Sequence, residues 1–182
     1  MSEGRAEDAP GIRRARPDEY AELGRMLVEV YSSTAGMPRL EEQPGYYAML
    51  RDVAARASRP TLQVLVAVDG TGRPVGCVDF ISDMAQYGSG GTARNVPDAA
   101  GIRLLAVDPG SRGRGVGKAL TLACIDRARG LGRSAVILHT TRGMQTAWAM
   151  YERLGFERFP EIDFRQEQLE VFGFRLQLAP RG

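Results

Sequence analysis

The stretch VDPGSRGRGVGKAL, Val107 to Leu120, constrains the fold of this chain more than any other. It sets Gly110, Gly113, Gly115 and Gly117 and three cations, Arg112, Arg114 and Lys118, between two apolar segments. GIRLLAV before it reads as a strand. After it, Val116, Ala119, Leu120, Ala123, Cys124, Ala128 and Leu131 recur at helical spacing. A strand, a glycine turn and a helix in that order aim the helix N-terminus at whatever the glycines admit. Glycine has no Cβ, so backbone N–H groups approach a ligand closely. The first helical turn adds unpaired N–H groups and a positive dipole end. The stretch is predicted to bind an anion, and a pyrophosphate suits it.

Two common phosphate loops fail here. A P-loop needs glycine six positions before its lysine and Ser or Thr after it; Arg112 and Ala119 stand at those places. The dinucleotide fingerprint G-x-G-x-x-G would need its third glycine at Lys118 or Leu120, and the loop does not follow the first strand. A nucleic-acid module is the reading that RGRG alone suggests. The net charge of +2 and the lack of interleaved aromatics argue against it.

Around this stretch the chain reads β-α-α-β-β-β-α-β-α-β-β. Residues 1–10 read as a flexible N-terminal tail and 11–182 as a single domain. Pro17 opens a first helix carrying Leu23, Met26, Leu27 and Val30, and a second is predicted over Pro44–Ala57. TLQVLVAV and VGCVDFIS form a hairpin across DGTGRP. A long loop follows over 83–97, then GIRLLAV, the glycine stretch and its helix. SAVILHTT is a strand buried on both faces, MQTAWAMYERLGF a helix closed by Gly155, and strands near Phe156–Pro160 and Leu169–Leu178 end the chain. Cys77 and Cys124 sit in apolar segments and read as buried free thiols. One histidine, His139, and no Cys/His spacing leave no basis for a metal site. The N-terminus has no signal-peptide pattern and no apolar run reaches transmembrane length, so a cytoplasmic protein with no membrane partner is expected.

The glycine stretch resembles the acetyl-CoA loop of the GNAT superfamily of N-acyltransferases. Its pattern Arg/Gln-x-x-Gly-x-Gly/Ala appears as Arg112, Gly115 and Gly117, preceded by Val107 and Pro109. A second motif follows at the family's distance: Ala147, Tyr151, Gly155 and Phe156. The resemblance is carried by motifs over 102–156 and by element order from about 11 to 178. It implies an α/β (α+β) fold with a mixed central sheet of about six to seven strands, flanked by about four helices and splayed between the fourth and fifth strands.

The resemblance also implies a chemistry. Backbone groups of Leu105, Ala106 and Val107 would pair with the pantetheine arm of acetyl-CoA. Residues Arg112, Gly113, Arg114, Gly115, Val116, Gly117, Lys118 and Ala119 would cradle its pyrophosphate, with Arg112 fixing the loop and Arg114 and Val116 free to vary. An amine attacks the thioester directly, the Val107 amide at a bulge receives the oxyanion, and Tyr151 serves as general acid to the thiolate. The sequence departs from the family twice. Gly101 stands where many members carry a base glutamate, and Met144 where many carry asparagine, leaving Gln145 or Thr141 to replace that contact. Asp79, Glu29 and His139 are the candidate bases. The first two helices and loop 83–97 are expected to form the acceptor wall, with Tyr46, Tyr47, Met84 and Tyr87 on it and Glu41 and Glu42 near it. The expected partner is a small-molecule or peptide amine, with a homodimer through the last strand by analogy. A noncatalytic acyl-CoA-binding domain of the same fold is the rival reading.

Overall fold

The computed structural model describes residues 9–180; the expected tail lies outside the described residues up to residue 8. The elements are β1 (Gly11–Arg14), α1 (Tyr20–Ser32), α2 (Pro44–Arg51), α3 (Val53–Ala57), β2 (Leu62–Val68), β3 (Pro74–Ile81), β4 (Ala99–Val107), α4 (Val116–Gly130), β5 (Ala135–Thr140), α5 (Gln145–Arg153), β6 (Glu157–Arg158), β7 (Phe164–Gln166) and β8 (Leu169–Gln177). The sheet runs β1-β2-β3-β4-β5-β8-β6, with β7 also paired to β8. Among the described residues only β4 and β5 pair in parallel.

Strand alternation builds two cores, one on each sheet face. Val64, Val66, Cys77 and Ile137 face α1, α2 and α3, where Leu23, Leu27 and Tyr31 recur every four residues. Leu65, Ala67, Val78, Phe80 and Leu138 face the other way, onto Leu120, Cys124 and Ala128 of α4 and Tyr151 of α5. Every residue of β3 is buried, as a central strand covered on both faces requires. Truncating Leu27, which is fully buried, costs about 2–5 kcal/mol by the usual rule for such cavities.

Several boundaries differ from expectation. The helix expected over Pro44–Ala57 is two helices, because Asp52 leaves helical geometry at ψ 67° and its carboxylate caps α3 by accepting from the Ala55 N–H. The strand near Phe156–Pro160 shrinks to two residues, and the three-residue β7 adds an eighth strand and a fifth helix is gained by the split. Loop 83–97 is anchored rather than loose: Met84, Tyr87 and Ala93 are buried, held by 3-10 turns at Met84–Gln86 and Ala93–Asn95. The last strand pairs with β5 along one edge and, over part of the other, with β6 and β7. No helix among the described residues is long and apolar enough to cross a membrane.

Candidate active site

The site begins where β4 leaves β5. Their pairing stops at Ile102 and Leu138, and the strands diverge beyond it. On the other side of β4, Leu104 and Leu105 stand opposite the single residue Val78, a β-bulge between the pairs Asp79–Arg103 and Cys77–Ala106. Leu104 takes the left-handed φ of 56°, which is costly for a branched residue and is held by its burial. The bulge lies at Leu104–Leu105 rather than at Val107. Val107 still presents an open amide: the Asp108 N–H bonds back to the Val75 carbonyl at 2.9 Å, so its neighbour Val107 turns its N–H to the unpaired side. The Leu105 carbonyl also faces the gap and accepts from the Tyr31 hydroxyl at 3.1 Å.

The glycine stretch continues this open edge. A 3-10 turn at Pro109–Ser111 is followed by Gly113 and Gly115, both at φ 77°, a region that L side chains rarely enter. Gly115 is the N-cap of α4 and provides no side-chain cap. The first helical bond runs from the Ala119 N–H to the Gly115 carbonyl, at 3.0 Å. The N–H groups of Val116, Gly117 and Lys118 therefore precede the first intrahelical bond. Arg112, Arg114 and Lys118 are exposed, and among the described residues none is in an ion pair.

Two cavities open from the gap. A groove of about 760 Å³ is lined by Leu105, Ala106, Val107, Arg112, Gly113, Gly115, Val116, Gly117 and Lys118, with Gln145, Ala147, Met150 and Arg153 opposite. Arg114 and Ala119 do not line it: Arg114 points to solvent and the Ala119 amide is used within α4. Val116 is not free to vary, because its side chain is buried against Gly76. The Arg112 side chain makes no hydrogen bond among the described residues, so the loop is fixed by its backbone. A second cavity of about 930 Å³ lies on the other side of the bulge, lined by Tyr46, Met49, Tyr87, Arg103, His139, Thr141 and Phe164 among others. Tyr31 and Met144 line both and mark where the cavities meet.

Tyr151 lies beneath this junction and lines neither cavity. Its ring is buried, edge-on to Phe156 at 5.7 Å, and its hydroxyl has no partner among the described residues. Burial, with Cys124 and Tyr87 nearby, pushes its phenol well above the ordinary value, so it stays protonated at neutral pH. Cys77 and Cys124 are buried free thiols, each raised to about 12 by burial, and neither is a thiolate nucleophile.

The missing glutamate has a steric explanation. A Cβ on Gly101 would sit 2.6 Å from Cδ2 of the Tyr87 ring, so the aromatic ring fills the space a side chain would need. Of the three candidate bases only His139 faces the cleft. Asp79 is buried and ion-paired to Arg56 at 2.8 Å; burial raises its carboxyl and the guanidinium opposes that. Glu29 is exposed outside both cavities. His139 Nε2 lies 2.8 Å from the Ile162 carbonyl and so carries the proton it donates there. Its Nδ1 then accepts from the Tyr87 hydroxyl at 3.1 Å. Burial holds the His139 imidazolium below the usual histidine value, leaving the ring neutral.

The expected acceptor wall is half realised. Tyr46 and Tyr87 line the larger cavity, whereas Tyr47 turns its hydroxyl to the Pro38 carbonyl and Met84 packs in the core. Glu42 reaches the rim but is bonded to Arg39, as Glu41 is. Thr141 belongs to the larger cavity and Gln145 to the groove, while Met144 stands between them. Sequence reasoning missed Tyr31, Arg153, Phe164 and the β7–β8 wall. Tyr31 was detectable, because it extends the four-residue series Leu23, Leu27; the three-residue β7 leaves no period to read.

Comparison with known proteins agrees with this geometry. A mycothiol acetyltransferase of Arthrobacter sp. (strain FB24) is 35% identical over 112 residues, 60% of this chain and 32% of the relative. The chain thus spans about a third or less of the length of the curated relatives it matches, 21% for the one from Rhodococcus erythropolis. An acetyltransferase of the GNAT family from Staphylococcus aureus Mu50 superposes with a TM-score of 0.71 at 17% identity, covering 94% of this chain and 100% of that one. The structure of yncA from Salmonella typhimurium with its cofactor acetyl-CoA gives 0.63 at 19%, covering 95% and 96%. At these identities the structures share the fold. Residues 25–156, well over half of the sequence, match the model of the Acetyltransferase (GNAT) family, and the chain belongs to that family.

Proposed function

We propose that the protein is an N-acetyltransferase that moves the acetyl group of acetyl-CoA to a primary amine by direct attack in a ternary complex. The observation that carries this reading is the meeting of two cavities at the β4 bulge, one bordered by unpaired helix-start amides and free cations, the other by aromatic side chains. In this reading the Val116, Gly117 and Lys118 amides hold the pyrophosphate and the open edge of Leu105–Val107 holds the pantetheine arm. Tyr31 yields the Leu105 carbonyl to it. The thioester then lies at the junction beside Tyr31 and Met144.

A primary amine with a pKa near ~10 is about 0.1% neutral at pH 7, so a proton must leave before attack. The Tyr87 hydroxyl, backed by neutral His139 Nδ1, is the proposed exit. The ammonium's proton passes to the Tyr87 oxygen as the Tyr87 proton passes to His139, and the imidazolium so formed, which burial disfavours, gives its extra proton up to solvent through the cavity. The new N–C bond forms, the nitrogen loses its second proton by the same Tyr87–His139 route, the C–S bond breaks, and the Val107 N–H stabilises the oxyanion between attack and collapse. Tyr151, whose hydroxyl has no partner among the described residues, is the proposed general acid: the thioester must reach down to it from the junction, and it donates to the departing thiolate and takes a proton back through the opened groove as CoA leaves. The relatives named mycothiol acetyltransferase support a small-molecule acceptor.

The test is thiol release from acetyl-CoA with a panel of primary amines. Amine-dependent release is expected, and Tyr151→Phe should lower turnover at least tenfold while CoA affinity holds. CoA binding without release for any amine would instead establish the noncatalytic rival. Unchanged turnover in Tyr151→Phe would remove Tyr151 from the reaction.

A further inference from the structure

The larger cavity holds a cation that the protein itself does not neutralise. The charged groups on its wall are Glu42, Arg103, Arg165 and Glu167. Glu42 and Arg165 are exposed and already paired, with Arg39 and Glu170. Glu167 is exposed on the β7–β8 turn. Arg103 differs from all three. It is half-buried on β4, next to the bulge residue Leu104, and it is in no ion pair among the described residues. Its one hydrogen bond goes from Nη1 to the Tyr87 carbonyl, at 3.2 Å, and its guanidinium carbon lies 5.7 Å from the Tyr87 ring centre.

The surroundings sharpen the imbalance. Asp79, its partner across the β3–β4 ladder, is occupied by Arg56 at 2.8 Å. Arg59 brings another guanidinium close, since Arg103 Nη1 and Arg59 Nη1 lie 3.2 and 3.7 Å from the same point beside Gly88. Three guanidiniums thus share one carboxylate. A partly desolvated guanidinium without a counter-charge is unfavourable, and its planar fork matches a carboxylate in two hydrogen bonds. A second unsatisfied group lines the same cavity: the Thr141 hydroxyl is buried with no partner, and Thr141 is only 6% exposed. The same wall carries apolar and aromatic side chains, Met37, Tyr46, Met49 and Phe164.

From this juxtaposition we infer that the acceptor is an amino carboxylate with an apolar side chain, its carboxylate held by Arg103 and its amine presented toward the bulge. The inference rests on the proposal that this cavity receives the amine. The Thr141 hydroxyl accepts from the ammonium or amine, and the aromatic and methionine wall covers the side chain. Carboxylate and amine on one small molecule place the amine beside the strand that carries the open Val107 amide. The cation then selects the substrate, whereas exposed rim carboxylates do not.

Isothermal titration of the CoA-saturated protein with L-phenylalanine, L-phenylalaninamide and phenethylamine tests this. All three share the side chain and the amine, and only the first carries a carboxylate. Phenylalanine should bind at least tenfold more tightly than either of the others. The preference should fall below threefold in Arg103→Met and persist in part in Arg103→Lys. Thr141→Val should weaken all three about equally. The inference is overturned if the amide or amine binds as well as the acid, if Arg103→Met keeps the preference, or if none of the three binds. CoA titrated alone separates this from the enzyme proposal: wild-type protein that fails to bind CoA sinks that proposal, while CoA binding without carboxylate preference sinks only this one.

Discussion

The groove proposed for the carrier and the cavity proposed for the acceptor meet at Tyr31 and Met144, yet the chain builds them in opposite ways. One side of the groove is a continuous run, Leu105 to Lys118, whose working parts are backbone amides and positive-φ glycines. The cavity is assembled from the α1–α2 connection, loop 83–97, β4, β5 and the β7–β8 hairpin, and its working parts are side chains. The difference teaches where sequence change is tolerated. If the groove binds through backbone as proposed, it should survive replacement of Arg114, which faces solvent, but not of the glycines that set its path. A side-chain site can be retuned residue by residue, but each member leans on a neighbour from a distant segment.

The strongest way to break this comparison is to restore the family's glutamate. Gly101→Glu must displace the Tyr87 ring, 2.6 Å from the new Cβ, and bury a carboxylate. Overpacking alone costs about 1–3 kcal/mol and the buried charge adds to it. The expected result is a loss of at least about 3 kcal/mol, roughly 6–12 °C in Tm for a chain of this size, read by thermal and urea unfolding. Full stability with increased turnover would show that Tyr87 gives way and that the position remains a functional base site.

On the carrier side a pair of glycines sharpens the contrast. Gly115→Ala forces a Cβ into φ 77° although nothing crowds it, costing about 1–2 kcal/mol, and should weaken CoA binding about tenfold. Gly117→Ala meets only ordinary contacts, the nearest at 3.6 Å, and replaces glycine inside a helix, so unfolding stability should hold or rise by up to ~1 kcal/mol. CoA titration should nevertheless show weaker binding in Gly117→Ala, because the added methyl stands on the groove wall. Equal CoA affinity for all three proteins would mean that the pyrophosphate does not approach this backbone.

The smallest expected effect is a pH dependence. His139 is held neutral, with its folded value below 6.5, while in the unfolded chain it takes up a proton near 6.5. The unfolded state therefore binds more protons as pH falls through that range, and this part of the stability, fully present above 6.5, is lost on acidification. Urea midpoints at pH 7.0 and 5.5 should differ more for the wild type than for His139→Asn. The same slope in both proteins would show that His139 is not the group that titrates.

How much of this was legible follows from the same contrast. The glycine stretch announced its turn, its helix and its anion preference, since φ > 0 and a free helix start are local properties. The tyrosine motif found Tyr151 but not its depth: Ala147 and Met150 reach the groove and Tyr151 lies under it. Gly101 was visible as a departure, but nothing near it in the chain says that Tyr87, fourteen positions earlier, fills its place. Asp79 has the chemistry of a base in the sequence, but Arg56, from a helix on another segment, pairs with it in the fold. The helix over Pro44–Ala57 broke at Asp52 because a carboxylate cap competed successfully with helix continuation.

By itself the sequence determined most of the order of elements, the two apolar periodicities that make a three-layer fold, and a glycine loop whose turn and free helix start are properties of its backbone. Only the tertiary structure decided which side chains line the larger cavity: Tyr87 over Gly101, His139 behind it, and on the wall Arg103, which is in no ion pair among the described residues. Periodicity and glycine placement act within one or two turns of chain. Charge balance and steric exclusion in a cavity depend on residues that come together only when the sheet has closed over them.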